Sequence, residues 1–341
     1  MEEIYSRAKK LMKGYCRVCP VCDGKACAGE VPGMGGLGTA ASFKANVGAL
    51  SGYRFNMQLL HDVKEPDASV TMFGKKLALP VLAAPIGGVS FNMGGGIPEQ
   101  EYVNAIIQGC IAKGTLGCTG DGVPEFIHLS GFQAIEGAGG MGIPFVKPWE
   151  EQELFDKLEK AQETGAEIVG IDIDAAGLVT LRQMGRPVGP KNADELKQIR
   201  EAVKGKLILK GIMTVADAKK AVDCGADGIV VSNHGGRVLD FTPGAADVLP
   251  QISSAVKGQV EILADGGVRT GGDVLKLLAL GADGVMIGRP FSVAAVGGLK
   301  DGVEKYLEKI ELELQQAMVL TGTQSVADVE PSILHQKHLI V

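Results

Sequence analysis

The chain has no apolar run approaching the ~20 residues of a membrane-spanning helix, and charges interrupt the runs it does have. It also lacks an excess of positive charge. Lys+Arg number 34 against 40 Asp+Glu, a net charge of −6, which argues against nucleic acid or an anionic membrane as the main partner. The opening residues, Met1-Glu2-Glu3-Ile4-Tyr5-Ser6-Arg7, lack the basic-then-apolar pattern of a signal peptide, so the expectation is a cytoplasmic protein. Aromatics are scarce at 5%, with Trp149 the single tryptophan. With 45% hydrophobic and 22% charged residues, disorder and collagen-like repetition are excluded and a sizeable core can be buried.

What the chain has in excess is glycine, 49 of its 341 residues. Without a collagen period, so much glycine calls for many tight turns or for backbone that closely approaches a ligand. Length suggests either two average domains or one barrel of about 250 residues. The chain pattern favours the barrel. From residue 79, apolar runs alternate with amphipathic stretches: Leu79–Pro85, Thr115–Gly120, Ile143–Lys147, Glu167–Asp174, Leu207–Ile212, Gly228–Asn233, Val260–Asp265 and Gly284–Gly288. Continuous apolar runs fit parallel strands covered on both faces, and eight strand–helix units close a (β/α)8 TIM barrel of the α/β class. An open doubly wound sheet would carry G-x-G-x-x-G after its first strand, and none stands there. The repeat of Gly225-Ala226-Asp227-Gly228 in Gly281-Ala282-Asp283-Gly284 supports the barrel.

Residues 79–341 are therefore read as the barrel, closed by a long helix over 298–321. Residues 1–78 are read as an N-terminal extension. The extension holds a short helix, a cysteine-rich stretch, a glycine-rich loop at Pro32–Thr39, and a hairpin near Ser69–Leu77 placed to plug the barrel bottom. Barrel enzymes keep their chemistry at the C-terminal ends of the strands. Those positions carry Lys147, Asp172 with Asp174, Lys210, His234 with Arg237, Asp265 with Arg269, and Arg289. Ionisable groups on six consecutive strands mark that rim as an active site. The loops after the last two strands add Gly266-Gly267 and Gly271-Gly272 to the paired arginines Arg269 and Arg289, a combination that suits a phosphate-bearing ligand.

The segment Ser232-Asn233-His234-Gly235-Gly236-Arg237-Val238-Leu239-Asp240 closely resembles the active-site signature of the FMN-dependent α-hydroxy-acid oxidase and dehydrogenase family, which includes glycolate and lactate oxidases. Leu209-Lys210-Gly211-Ile212, Asp265-Gly266-Gly267-Val268-Arg269 and Ile287-Gly288-Arg289-Pro290 follow the same family order. The likeness is strong over 205–292, weaker but collinear over 53–175, and fails before residue 40 and over 175–192. It implies oxidation of a small 2-hydroxy acid to the 2-oxo acid, with FMN as cofactor. His234 would take the hydroxyl proton as hydride leaves for flavin N5. Asp174 would accept a hydrogen bond from that imidazole, or else cap the next segment. Arg237 would clamp the substrate carboxylate, and Lys210 would sit against flavin N1 and O2. The implied FMN contacts are the turn Ala84-Pro85-Ile86-Gly87, then Thr119, Lys147, Asp172, Lys210, Ser232 and Asp265. Gly267, Arg269, Gly288 and Arg289 would hold the phosphate. The resemblance also suggests a homo-oligomer, and leaves the electron acceptor open.

The chain departs from the family pattern in several places. Gly29-Glu30-Val31-Pro32-Gly33 lacks the expected tyrosine, and Phe145-Val146-Lys147-Pro148-Trp149 replaces a glutamine and a second tyrosine. Trp149 therefore either lines the pocket or packs. Asp172 stands where the family has threonine, and a second arginine after the fourth strand has only Arg182 and Arg186 as candidates. Outside the pattern altogether is Cys16-x2-Cys19-x2-Cys22-x4-Cys27. In a cytoplasmic chain that spacing suits an iron–sulfur cluster or zinc, with redox-sensitive or merely packed thiols as the alternative. Cys110, Cys118 and Cys224 read as core, and His61, His128, His335 and His338 as structural or exposed. A flavin-dependent isopentenyl diphosphate isomerase, or a flavin-binding protein that has lost activity, are the competing functions.

Overall fold

A computed structural model describes residues 1–186 and 188–336, so His338 lies outside the described residues. Eight parallel strands form a closed barrel: β1 (Val81–Ile86), β2 (Gly117–Thr119), β3 (Ile143–Val146), β4 (Ile168–Asp172), β5 (Lys206–Ile212), β6 (Gly228–Val231), β7 (Glu261–Ala264) and β8 (Gly284–Ile287). Closure is made by β8 against β1, with Val285 opposite Val81. All eight strands coincide with the apolar runs of the sequence. Most are buried along their whole length because helices cover the outside and side chains fill the inside.

The helices outside the barrel wall are α1 (Glu2–Leu11) and α2 (Ala41–Gly52). The eight longer helices that follow barrel strands are α3 (Glu99–Ala112), α4 (Glu125–Gly137), α5 (Glu151–Glu163), α6 (Ala193–Ala202), α7 (Val215–Asp223), α8 (Ala245–Val256), α9 (Gly271–Ala279) and α10 (Arg289–Thr321), beside two short turns of helix at Val89–Asn92 and Val179–Gln183. Several start on side-chain caps: Thr270 accepts from the Asp273 amide at α9, and Asn192 from the Glu195 amide at α6. The last helix begins at Arg289 rather than near 298, because Pro290 suits a first turn. It breaks at Leu299, whose φ of 51° is left-handed, so its first segment aims its N-terminus at the strand ends.

Two core layers alternate along each strand. Val81 and Ala83 face the helices, while Leu82 joins Phe145, Ile208 and Met286 inside the barrel. The inner layer is completed from below by a hairpin, Val70–Met72 paired with Lys75–Leu77. Its turn residues, Phe73 and Gly74, both have positive φ, as tight hairpins require. The Phe73 ring lies where a Cβ on Gly228 would stand 2.7 Å away, so glycine at the start of β6 makes room for the plug. Tyr53–Phe55 pairs antiparallel with Leu334–Gln336 and ties the two ends of the chain together. Among the described residues, no helix is long and apolar enough to cross a membrane.

Candidate active site

One cavity opens at the C-terminal ends of the strands, and its floor is built from β4, β5, β6 and β7. Lys210, 3% exposed, lies near the end of β5 with Nζ 3.3 Å from Asp172 Oδ1 and 4.0 Å from Asp265 Oδ2. Just past β4, Asp174 Oδ1 lies 2.9 Å from His234 Nδ1. His234, Gly235 and Gly236 all have positive φ, which turns the chain sharply off β6 and sets the imidazole in the cavity wall. That turn is held by Asn233, whose Oδ1 accepts from the Gly236 amide and from Asn46 Nδ2, and by Ser232 Oγ, which accepts from the His234 amide. Gly236 cannot be otherwise: a Cβ there would stand 2.5 Å from the Phe43 amide nitrogen of α2.

The floor is a buried charge cluster of three carboxylates around one ammonium. Burial disfavours the charged form of Lys210, but Asp174, Asp172 and Asp265 outweigh it and hold the pKa above the ordinary lysine value. Burial likewise opposes ionisation of Asp174, yet His234 and Lys210 hold it below the usual carboxylate range. For Asp265 burial wins, and its pKa is pushed up. Asp172, Asp174 and His234 offer ligand atoms within 4.8 Å of one another, a metal-like spacing. Lys210 already supplies the cation those carboxylates need. Asp174 Oδ2 and Asp265 Oδ1 are buried without a hydrogen-bond donor, and Asp172 Oδ1 has only its ion pair with Lys210.

The rim carries the opposite charge. Arg237 donates to the Gly33 and Gly35 carbonyls and, at 2.9 Å, to Asn92 Oδ1. Arg269 donates to the Val268 carbonyl at 2.7 Å, and to the Cys22 carbonyl and sulfur at 3.3 and 3.4 Å. Arg289 donates to the carbonyls of Met34, Gly35 and Gly235, and its guanidinium lies 3.9 Å over the Phe43 ring. Burial lowers Arg289 to about 9, aided by repulsion from Arg237 and Arg269, and lowers Arg237 to about 10. Among the described residues, none of the three has a carboxylate partner. Arg269 Nε is buried with no acceptor at all. Three mutually repelling guanidiniums beside Gly267, Gly288 and the N-terminus of α10 are chemically incomplete without an anion, and a phosphate meets that need.

The remaining expected residues divide. Ala84, Pro85, Ile86 and Gly87 line the cavity, and the turn after them is pinned by buried Glu99, which accepts from the Gly88 and Val89 amides at 2.8 and 2.6 Å. Lys147 and Asp172 also line it. Thr119 does not: strand alternation puts Cys118 inside the barrel and packs the Thr119 side chain against Gly131 of α4, which corrects its expected cofactor contact. Trp149 packs. It is fully buried, donates from Nε1 to Asp121 Oδ2 at 2.6 Å, and carries Lys157 Nζ 4.1 Å above its ring. Arg186 is taken by Glu153 at 2.5 Å and Arg182 is exposed, so neither serves as a second arginine in the cavity.

Two residues escaped sequence reasoning. Asp121, just past β2, gathers Trp149, Lys157 Nζ and the Lys147 amide beside the cavity; an acid at a strand end was the available signal. Asn92, which orients Arg237, had none. All seven cysteines are free of disulfides. Cys16, Cys19, Cys22 and Cys27 are half-buried in irregular chain at the rim, and no three of them come within 4.8 Å among the described residues.

The FMN-dependent dehydrogenase family model matches residues 33–180 and 145–336. The L-lactate dehydrogenase of Pseudomonas paraeruginosa is 32% identical over 88% of this chain and 92% of its own length. The 4-hydroxymandelate oxidase of Amycolatopsis orientalis is 31% identical over 86% and 89%. A crystal structure of mandelate oxidase superposes with a TM-score of 0.81 at 29% identity, covering 98% of this chain and 97% of the other.

Proposed function

Because this chain belongs to the FMN-dependent dehydrogenase family, oxidoreductases that act on the CH–OH group of 2-hydroxy acids, we propose that His234 is the base that starts this oxidation in it. The observation that carries the reading is the 2.9 Å contact between His234 Nδ1 and Asp174 Oδ1, inside the same cavity as Arg237 and Lys210. With Nδ1–H donated to the carboxylate, Nε2 keeps the lone pair that accepts the substrate hydroxyl proton. Asp174 then stabilises the imidazolium that results.

Arg237 holds the substrate carboxylate. Its bonds from Nη1 to Gly33 and Gly35 and from Nη2 to Asn92 use part of a five-donor fork, and Nη2 keeps a second N–H. Gly267, Arg269, Gly288 and Arg289 hold the FMN phosphate, and the orphan Arg269 Nε is one donor that it satisfies. Lys210 presents a fixed ammonium to the flavin from the cavity floor, with Asp172 and Asp265 holding it there. When bound, FMN supplies the two-electron acceptor. Phe91, Leu178, Leu181, Met184 and Pro32 give the cavity an apolar side, which favours a 2-hydroxy acid with an apolar side chain.

The same reading places the protein in the cytoplasm, a compartment that suits seven unpaired thiols. It makes Cys16, Cys19, Cys22 and Cys27 the ligands of an iron–sulfur cluster or zinc. It also includes self-association, for which exposed Met57, Leu59 and Leu60 offer an apolar strip. Anaerobic mixing of the yellow protein with a panel of 2-hydroxy acids tests the reaction: apolar members should bleach the flavin. His234→Ala should keep the colour and resist bleaching. Bleaching at the wild-type rate in that variant would refute the base.

A further inference from the structure

We propose that Cys16, Cys19, Cys22 and Cys27 ligate a [4Fe–4S] cluster, and that the loop it closes holds the phosphate-site arginines in place. The second half rests on the FMN reading above.

The stretch carrying the four thiols has neither helix nor strand, yet it is built in detail. Val18, between Cys16 and Cys19, adopts a left-handed φ of 45°, rare for a β-branched residue; Gly24, between Cys22 and Cys27, has φ 80°. Left-handed residues between successive cysteines bend the chain back on itself, as ligation by Cys-x2-Cys-x2-Cys requires. Two N–H donors already aim at sulfur: the Val18 amide at Cys16 Sγ, and Arg269 Nη2 at Cys22 Sγ, both at 3.4 Å. Donors of this kind stabilise thiolates and tune the clusters they hold. Arg269 thus sets a cationic donor directly against one of the four sulfurs. By contrast, Cys110, Cys118 and Cys224 lie buried in the core.

Thiol spacing separates the two candidate metals. Zinc at about 2.3 Å from four tetrahedral thiolates sets the sulfurs roughly 4 Å apart, so a preformed zinc site would gather at least three within 4.8 Å. No three gather so closely. A cubane places its irons between the thiolates and needs no such close gathering, and Cys-x2-Cys-x2-Cys is the spacing of ferredoxin-type cluster ligation.

The consequence for the phosphate site follows from which atoms hold the arginines. Cys22 supplies a carbonyl and a sulfur to Arg269; Met34 and Gly35 supply carbonyls to Arg289; Gly33 and Gly35 supply them to Arg237. The loop is fastened beyond the last cysteine by the Gly29 amide on the Gly36 carbonyl, and by Arg17 on Glu30 at 2.6 Å. Fixing its cysteine end with a cluster fixes the acceptors that orient all three guanidiniums.

The test begins with anaerobically purified wild type, assayed for iron, acid-labile sulfide, zinc and FMN. About four irons and four sulfides per chain are expected, with an EPR signal after dithionite reduction. Zinc alone, or no metal, overturns the cluster, whereas FMN content reports separately on the flavin reading. Cys19→Ser and Cys22→Ser should lose the iron, and Cys224→Ser should keep it. Wild type stripped of iron by oxidation and chelation should bind FMN at least tenfold more weakly, measured by fluorescence quenching. This arm needs no variant to fold. Unchanged FMN affinity after complete iron loss would leave the cluster standing and overturn its hold on the arginines.

Discussion

The two sides of the cavity are held by different chemistry. On the strand-end side, Lys210 is fixed by Asp172 and Asp265, and His234 by Asp174, each a charged partner on a barrel strand or the turn that follows one. On the loop side, Arg237, Arg269 and Arg289 are oriented mainly by backbone carbonyls of residues 22–35 and by the Phe43 ring. Carboxylates position a cation and also neutralise it. Carbonyls position it while leaving most of its charge for an incoming anion. The strand-end cation and imidazole therefore have charged partners before any ligand arrives, and the loop-side guanidiniums do not. The first suits groups that must hold one protonation state through a reaction; the second suits recognition of a phosphate and a carboxylate.

Removing a carboxylate from the strand-end side should break this contrast most strongly. Asp174→Asn keeps the shape but removes the charge that stabilises a protonated His234. Substrate-driven flavin bleaching should slow by about 10⁴-fold, the effect of losing the acid behind a catalytic histidine. FMN affinity, which depends on the loop side, should change by less than about twofold. Stopped-flow bleaching and an FMN titration on one preparation decide it. An equal fall in both would mean that the two sides are not separate.

The same division explains what was legible in the sequence. The eight strands could be read because each is buried on both faces and so becomes a continuous apolar run. His234, Asp174, Lys210 and Asp172 could be read because strand ends are fixed positions in a barrel. The partners of the arginines could not. A carbonyl acceptor such as that of Met34 or Gly35 belongs to every residue type alike and leaves no trace in composition or spacing. The direction of Thr119 was lost for a related reason: one step along a pleated strand exchanges cavity for helix layer, and apolar-run boundaries are not that sharp. Arg186 looked free until the fold brought Glu153 beside it.

Acid should separate the sides next. Asp121 belongs to the strand-end side; burial opposes its ionisation, but His128, Lys157 and Lys147 hold its pKa well below the usual range. A carboxyl depressed in the folded state contributes stability that is fully present above its unfolded pKa of about 4, and lost as pH falls through the folded value. Urea midpoints should therefore drop below about pH 4 in wild type. Asp121→Asn, which leaves Lys157 buried without a charge partner, should lose about 3 kcal/mol at neutral pH and show a flatter acid limb. An unchanged acid limb in the variant would place the titrating group elsewhere.

The smallest effect should come from the loop side, where Phe43 lies under Arg289 at 3.9 Å and within 5.8 Å of Arg269. A phenyl face attracts a desolvated guanidinium by about 0.5–2 kcal/mol. Phe43→Leu keeps apolar bulk beneath both arginines and removes only that attraction. FMN affinity should fall by about two- to thirtyfold, with no loss in the bleaching rate of the flavin-saturated protein. The opposite pattern, intact affinity with slowed bleaching, would mean that Phe43 acts through α2 and Gly236 on the His234 turn. The backbone contact between Phe43 and Gly236 makes that a real competitor, since both sides of the cavity meet at this residue.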